Sequence, residues 1–195
     1  MAAIVLAAGE SSRMGRPKPL LPLNGDTFLS HLLKEIDASS VTSTLVVLGH
    51  HPEAVLEALP AVEAISVVNP NYSLGQLSSF HVGLEHSHDA DAVLLCLADH
   101  PFITTEVIDA VIGAFESSGR PIVVPTYEGR RGHPTLFARA LFDELRAAPL
   151  DQGARVVVRA HADEVLEVAT TENGIVADID TPEQYETWLA SWRAR

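Results

Sequence analysis

Apolar residues recur in this chain with two alternating rhythms. Short apolar, β-branched runs occur at Ala2 to Ala8, Leu45 to Leu48, Ala64 to Val68, which holds one serine, Ala92 to Leu97 and Ile122 to Val124. Without polar residues at alternate positions, they predict strands buried on both faces. Between them, Phe28, Leu29, Leu32, Leu33 and Ile36 follow a helical spacing, as do Val55, Leu56 and Leu59, and Val107, Ile108, Val111, Ile112 and Phe115. Strands separated by helices predict a parallel sheet covered on both faces, with right-handed crossovers. The C-terminal third has a different order. A Gly and Arg loop at Gly129 to Gly132 precedes predicted helices near Leu136 to Ala147 and Ala154 to His161, a strand near Val165 to Ala169 and a last helix from Pro182 to Trp192. No linker, repeat or low-complexity segment interrupts the 195 residues. A single three-layer α/β/α domain over residues 1–195 is expected, with ligands at the carboxyl ends of its parallel strands.

Charge narrows the ligand class. The chain carries 26 acidic against 13 basic residues, a formal net charge of −13, so its global field repels nucleic acid. Against that background Arg13, Arg16 and Lys18 fall within six residues, and no acidic residue lies between Glu10 and Asp26. A small anionic ligand held at one place fits this distribution. The single cysteine, Cys96, lies in an apolar run, which reads as a buried thiol in a reducing compartment, and the cytoplasm is expected. No apolar stretch approaches the ~20 residues that span a bilayer, and Met1 to Leu6 lacks the basic flank and cleavage site of a signal peptide.

The cationic cluster belongs to Leu6-Ala7-Ala8-Gly9-Glu10-Ser11-Ser12-Arg13-Met14-Gly15-Arg16-Pro17-Lys18-Pro19-Leu20-Leu21-Pro22, directly after the first predicted strand. Two glycines, two serines and three cations can surround phosphate with backbone N–H groups and positive charge. Lys18 is not in a Gly-Lys-Ser/Thr triplet and Gly15 follows Gly9 by six positions, so this is neither a Walker A loop nor a dinucleotide fingerprint. A polar surface turn is the plain alternative. Asp99 ends an apolar strand, where a carboxylate serves either as a cation ligand or as a turn or cap residue. Asp178 and Asp180 alternate in an extended segment and point the same way, just before Thr181-Pro182-Glu183 starts a helix that either Asp180 or Thr181 would cap. Gly75 to Ser79 begins another helix, whose first N–H groups and hydroxyls suit an anion or a base edge. Arg130, Arg131 and His133 form a basic loop that reads equally as an exposed turn. The remaining histidines show no zinc-ligand spacing, Ser78 lacks a nucleophile elbow and Cys96 sits mid-strand. Trp188, Leu189 and Trp192 are expected to pack the last helix onto the body or onto a second subunit.

Together these motifs resemble the MobA-like nucleotidyltransferases. The loop from Leu6 to Pro22, Gly75-Gln76-Leu77-Ser78-Ser79, Leu97-Ala98-Asp99-His100-Pro101-Phe102, Gly129-Arg130-Arg131-Gly132-His133-Pro134 and Asp178-Ile179-Asp180-Thr181-Pro182-Glu183 are similar, in order, to motifs of the molybdenum cofactor cytidylyltransferase branch. The resemblance implies a Rossmann-like nucleotidyltransferase fold with a mostly parallel, mixed sheet, and Mg²⁺-dependent transfer of CMP from CTP to molybdopterin with release of pyrophosphate. It implies nucleotide binding by Leu6, Ala7, Ala8, Gly9, Ser11, Ser12, Arg13, Gly15, Lys18, Gln76 and Ser78, with Arg13, Lys18 and Asp99 catalytic. Asp99 and Asp180, with Asp178 beside them, would hold the metal, and Arg131 and His133 would meet the acceptor. A molybdoenzyme or its maturation factor is the implied onward partner. Ala7-Ala8-Gly9 matches the cytidylyl branch, whereas His100 stands where that branch usually has Gln. GTP as donor, another phosphorylated acceptor, or a non-catalytic cofactor-delivery role are the alternatives.

Overall fold

The structure, a computed structural model, describes residues 1–193. Its strands are β1 (Ala2–Ala7), β2 (Pro22–Leu23), β3 (Asp26–Thr27), β4 (Ser43–Leu48), β5 (Ile65–Val68), β6 (Ala92–Leu97), β7 (Ile122–Tyr127), β8 (Arg130–Arg131), β9 (Thr135–Ala138) and β10 (Val165–Ala169). The helices are α1 (Phe28–Asp37), α2 (Pro52–Glu57), α3 (Gln76–His86), α4 (Thr105–Ser118), α5 (Phe142–Ala147), α6 (Arg155–Ala160) and α7 (Pro182–Arg193). Eight strands form one sheet in the order β10-β7-β9-β6-β1-β4-β5, with β8 paired to β7. Strands β2 and β3 form a separate ribbon.

Strand β1 is buried throughout and lies parallel between β4 and β6, with Ala7 opposite Leu48 and Leu6 opposite Leu97. The chain runs from β1 to one side of the sheet through β4 and β5, then crosses back to β6 on the other side. This reversal of strand order opens a crevice beyond the carboxyl ends of β1 and β6, where α/β sheets bind ligands. Helices cover both faces. Leu29, Leu32, Leu33 and Ile36 of α1 and Ile108, Val111 and Ile112 of α4 bury one face, while Leu77, Phe80 and Leu84 of α3 bury the other. Two threonines start the first of these layers: Thr27 accepts a hydrogen bond from Ser30 N at 3.1 Å, and Thr104 caps α4 through Val107 N.

A third cluster fixes the chain ends. Met14 and Leu21 of the basic loop pack with Phe28, Phe102, Ala177, Ile179, Tyr185 and Leu189. Trp188 stacks on Phe102 at 5.5 Å between ring centroids, and Trp192 approaches the same ring at 4.7 Å, so α7 packs onto the body as its aromatic residues predict. This cluster carries the segment 177–181 to the rim of the crevice.

The C-terminal third departs from expectation at two elements, the first being Arg130–Arg131, which lie in the expected loop and form β8 antiparallel to β7. Residues 136–138, expected to begin a helix, belong to β9, which runs antiparallel to both β6 and β7. Leu136 and Phe137 point into opposite cores, so an apolar pair on both faces of a strand imitates the start of an apolar helical stripe. Helix structure resumes at Phe142. The sheet is therefore mixed, not wholly parallel, while α6 and β10 form where their periodicity places them.

Candidate active site

The in-register pairing of β1 with β6 brings the two strand ends to one level, and Ala98 N donates to Leu6 O at 3.1 Å across the gap. The chain then turns into the basic loop. Ser11 adopts a left-handed conformation (φ 53°), and its hydroxyl accepts a hydrogen bond from Lys18 N at 2.9 Å, folding the loop back so that the Lys18 side chain returns to the crevice. Lys18 Nζ donates to Asp99 Oδ2 at 3.0 Å and to Asp180 Oδ1 at 2.5 Å, and Arg13 Nη2 reaches Asp180 Oδ2 at 2.6 Å. Two cations and two carboxylates from three distant stretches of chain thus meet at one point.

Local chemistry at the last helix explains which aspartate is available. Thr181 Oγ1 accepts from Gln184 N at 3.3 Å, and Gln184 Oε1 accepts from Asp180 N at 2.8 Å and Thr181 N at 3.0 Å. This capping box satisfies the helix start without the Asp180 carboxylate, which is left to the cations. Burial disfavours the Lys18 ammonium, but the attraction of Asp99 and Asp180 outweighs it and raises the pKa above its ordinary value. The Lys18 hydrogen bond, reinforced by Arg13, holds the Asp180 carboxyl below the usual carboxylate range.

Between this charge cluster and α3 lies a cavity of about 310 Å³, lined by Leu6, Ala7, Ala8, Gly9, Ser11, Ser12, Arg13, Lys18, Gln76 and Asp99 among others. Its volume is that of a small-ligand site. Other expected residues lie elsewhere. Gly15, at φ 67°, borders a neighbouring cavity with Arg16, His50 and His51. The Ser78 hydroxyl donates within the fold, lying 3.1 Å from Asn71 O and 2.8 Å from Gly75 O, and accepts from Asn69 Nδ2, while Ser79 next to it lines the main cavity. Tyr72 also lines it, a residue without a sequence signal. Gly49 admits that ring: a Cβ there would lie 2.6 Å from Tyr72 Cβ and 2.7 Å from Ala8 O.

A second hollow, about 490 Å³, adjoins the same rim and is lined by Arg13, Gln76, Asp99, Arg131, His133, Asp178 and Asp180 among others. Arg131 is exposed and paired with Glu167 at 2.8 Å. Burial, aided by the neighbouring His100, lowers the His133 pKa to about 4, so its ring is neutral near pH 7 and offers a hydrogen bond rather than a charge. One potential ligand atom from each of Asp99, His100 and Asp178 lies within 4.8 Å of the others. Asp178 thus joins this donor group, whereas Asp180 faces Lys18 and Arg13. Cys96, which burial pushes up to about 12, stays a core thiol.

Fold and site together define a nucleotide-handling α/β protein. The MobA-like NTP transferase domain model matches residues 3–165, and the chain belongs to that family of nucleotidyltransferases. Nicotine blue oxidoreductase from Paenarthrobacter nicotinovorans is 28% identical, over 93% of this chain and 92% of that protein. Purine catabolism protein PucB from Bacillus subtilis is 31% identical, over 94% and 93%. A probable molybdenum cofactor guanylyltransferase from Bacillus cereus is 34% identical over 67% of this chain and 64% of its own length. Among solved structures, Rv0371c from Mycobacterium tuberculosis in complex with manganese superposes with a TM-score of 0.83 at 28% identity, covering 97% of this chain and 98% of that one. No helix among the described residues is long and apolar enough to cross a membrane.

Proposed function

We propose that this nucleotidyltransferase moves CMP from CTP to the phosphate of molybdopterin, or of its molybdenum-loaded form, and releases pyrophosphate. The observation that carries the reading is the meeting of Arg13, Lys18, Asp99 and Asp180 at the mouth of the cavity framed by the Leu6 to Arg13 loop. Arg13 and Lys18 neutralise charge building on the leaving pyrophosphate, and loop amides around Gly9 add fixed donors. A phosphomonoester acceptor, with a second pKa near ~6, is mostly dianionic at neutral pH and needs no general base. Catalysis then consists of positioning and charge stabilisation. The grouped donors of Asp99, His100 and Asp178 fit a divalent cation, Mg²⁺ in the family reading, which when bound supplies further charge to the triphosphate. Likeness to a named molybdenum cofactor guanylyltransferase supports the acceptor, and the Cβ of Ala8 on the cavity wall favours a pyrimidine base.

The test is pyrophosphate release from CTP, GTP, ATP and UTP in turn, each with molybdopterin and a divalent cation. Release with CTP and a cytidylylated product are expected, and no release with any nucleotide overturns the reading. The likeness to a protein named an oxidoreductase, along nearly the full length of both chains, favours a second reading, in which the same cavity serves a redox reaction rather than nucleotidyl transfer. Electron transfer to an acceptor dye without pyrophosphate release would select it.

A further inference from the structure

We propose that His100 is a metal ligand and that, with Asp99 and Asp178, it makes the cation site one for a first-row transition ion such as Mn²⁺ in preference to Mg²⁺. The inference rests on the nucleotidyl-transfer reading only in taking this cation to be the one that meets the triphosphate.

Three observations converge on the ring. Among the described residues, Nδ1 of His100 is the one buried side-chain polar atom without a hydrogen-bond partner. Buried polar groups are almost always satisfied, so an unpartnered nitrogen on a ring that lies beside two carboxylates marks a place where something binds. His100 is 7% exposed, and it sits within the 4.8 Å group formed with Asp99 and Asp178. The backbone explains that proximity: His100 N donates to Leu97 O at 3.0 Å, a tight turn that puts two consecutive side chains on the rim.

The packing of the ring agrees with this role. The ring of His133 packs against it at 4.9 Å between centroids, steeply tilted, and limits its swing. Asp180 does not compete, because its two oxygens are held by Lys18 and Arg13.

Donor chemistry then sets the ion. Mg²⁺ takes oxygen ligands and gives up water reluctantly, and one or two carboxylates with substrate phosphates suffice for it. An imidazole nitrogen adds little for Mg²⁺, whereas first-row divalent ions accept it, with an affinity that is lowest for Mn²⁺ and rises toward Cu²⁺. The histidine at the position before Pro101, where the resembled branch usually carries Gln, is thus assigned a task in the cation site.

The test uses the full chain without nucleotide. Mn²⁺ is titrated while the signal of free ion is followed by electron paramagnetic resonance, and the bound ion is examined by electron spin-echo envelope modulation. The wild type is expected to show modulation from a directly coordinated imidazole nitrogen. His100→Gln should lose that modulation and weaken Mn²⁺ binding ~10-fold or more, with a smaller change in competing Mg²⁺ affinity. Bound Mn²⁺ without nitrogen coupling in the wild type, no Mn²⁺ binding, or unchanged Mn²⁺ affinity in the variant overturns the proposal. Circular dichroism checks the fold of the variant, and the wild-type spectrum decides the matter should it not fold. Pyrophosphate release, measured separately, decides the transfer reading without reference to this ion.

Discussion

Lys18 joins what the chain keeps far apart, pairing with Asp99 and Asp180 across separations of 81 and 162 residues. Lys18→Ala should leave the circular dichroism spectrum unchanged and lower pyrophosphate release by on the order of a hundredfold or more, since preorganised charge at a reacting phosphate carries effects of that size. Near wild-type turnover would remove Lys18 from the mechanism. The side chains of this corner differ in how readable they were. Arg13, Lys18 and Asp99 stand out because cations clustered in an acidic chain and a carboxylate ending an apolar strand are local signals. The division of labour between Asp178 and Asp180 was not readable, because it depends on Gln184 closing a capping box that leaves the Asp180 carboxylate to the cations. Ser78 and Ser79 are adjacent in sequence, and only the rotation of α3 against β1 decides which one meets the cavity.

That rotation is fixed by close packing. A Cβ on Gly83 would strike the side chain of Ile4, whose branch point lies deep in the central strand with no room to move. Gly83→Ala should therefore destabilise the protein by about 1–3 kcal/mol in urea unfolding, despite the better helix propensity of alanine. Retained stability would show that α3 can slide. The short helices α5 and α6 are held differently: His161 lies 2.8 Å from Glu164 and 2.7 Å from Glu144. These hydrogen bonds, Glu164 first, raise the imidazole pKa above 6.5. The stabilisation is therefore complete below pH 6.5 and lost as pH rises through the raised value. His161→Gln should cost up to about 1 kcal/mol at pH 5.5, the scale of partly exposed ion pairs, and progressively less as pH rises through the raised value. An equal cost at every pH would mean that the ring acts by packing alone. Strands β1, β4, β5, β6 and β7 were legible from their apolar, β-branched runs, whereas β9 was not, because four residues with apolar groups on both faces carry no period of their own.

The two helical layers and the sheet make one ligand-bearing edge, so binding there should raise the stability of everything packed behind it. At a hundredfold excess over Kd, CTP with a divalent cation should add about 2.7 kcal/mol, or roughly 5–10 °C in Tm, with smaller shifts for GTP, ATP and UTP. Differential scanning fluorimetry reads this directly, and equal shifts for all four nucleotides would remove the base preference. The formal charge of −13 makes the local cations more telling, since the net field of the chain opposes the approach of a triphosphate.

The reversed strand β9 has a consequence for how this scaffold can diversify. Because it runs against β6 and β7, its leading end, not its trailing end, lies at the ligand edge, and the chain from β8 through His133 reaches the rim before the strand begins. The hollow beside the main cavity is thus walled by residues 130–133 and 175–180, while the main cavity is walled chiefly by residues 6–19 and 72–79. Apart from the shared Arg13, Gln76, Leu97 and Asp99, the two walls are separate stretches of chain. Grafting residues 128–134 from a relative would exchange one wall and leave the other intact, so a single backbone reversal makes the two walls separately heritable.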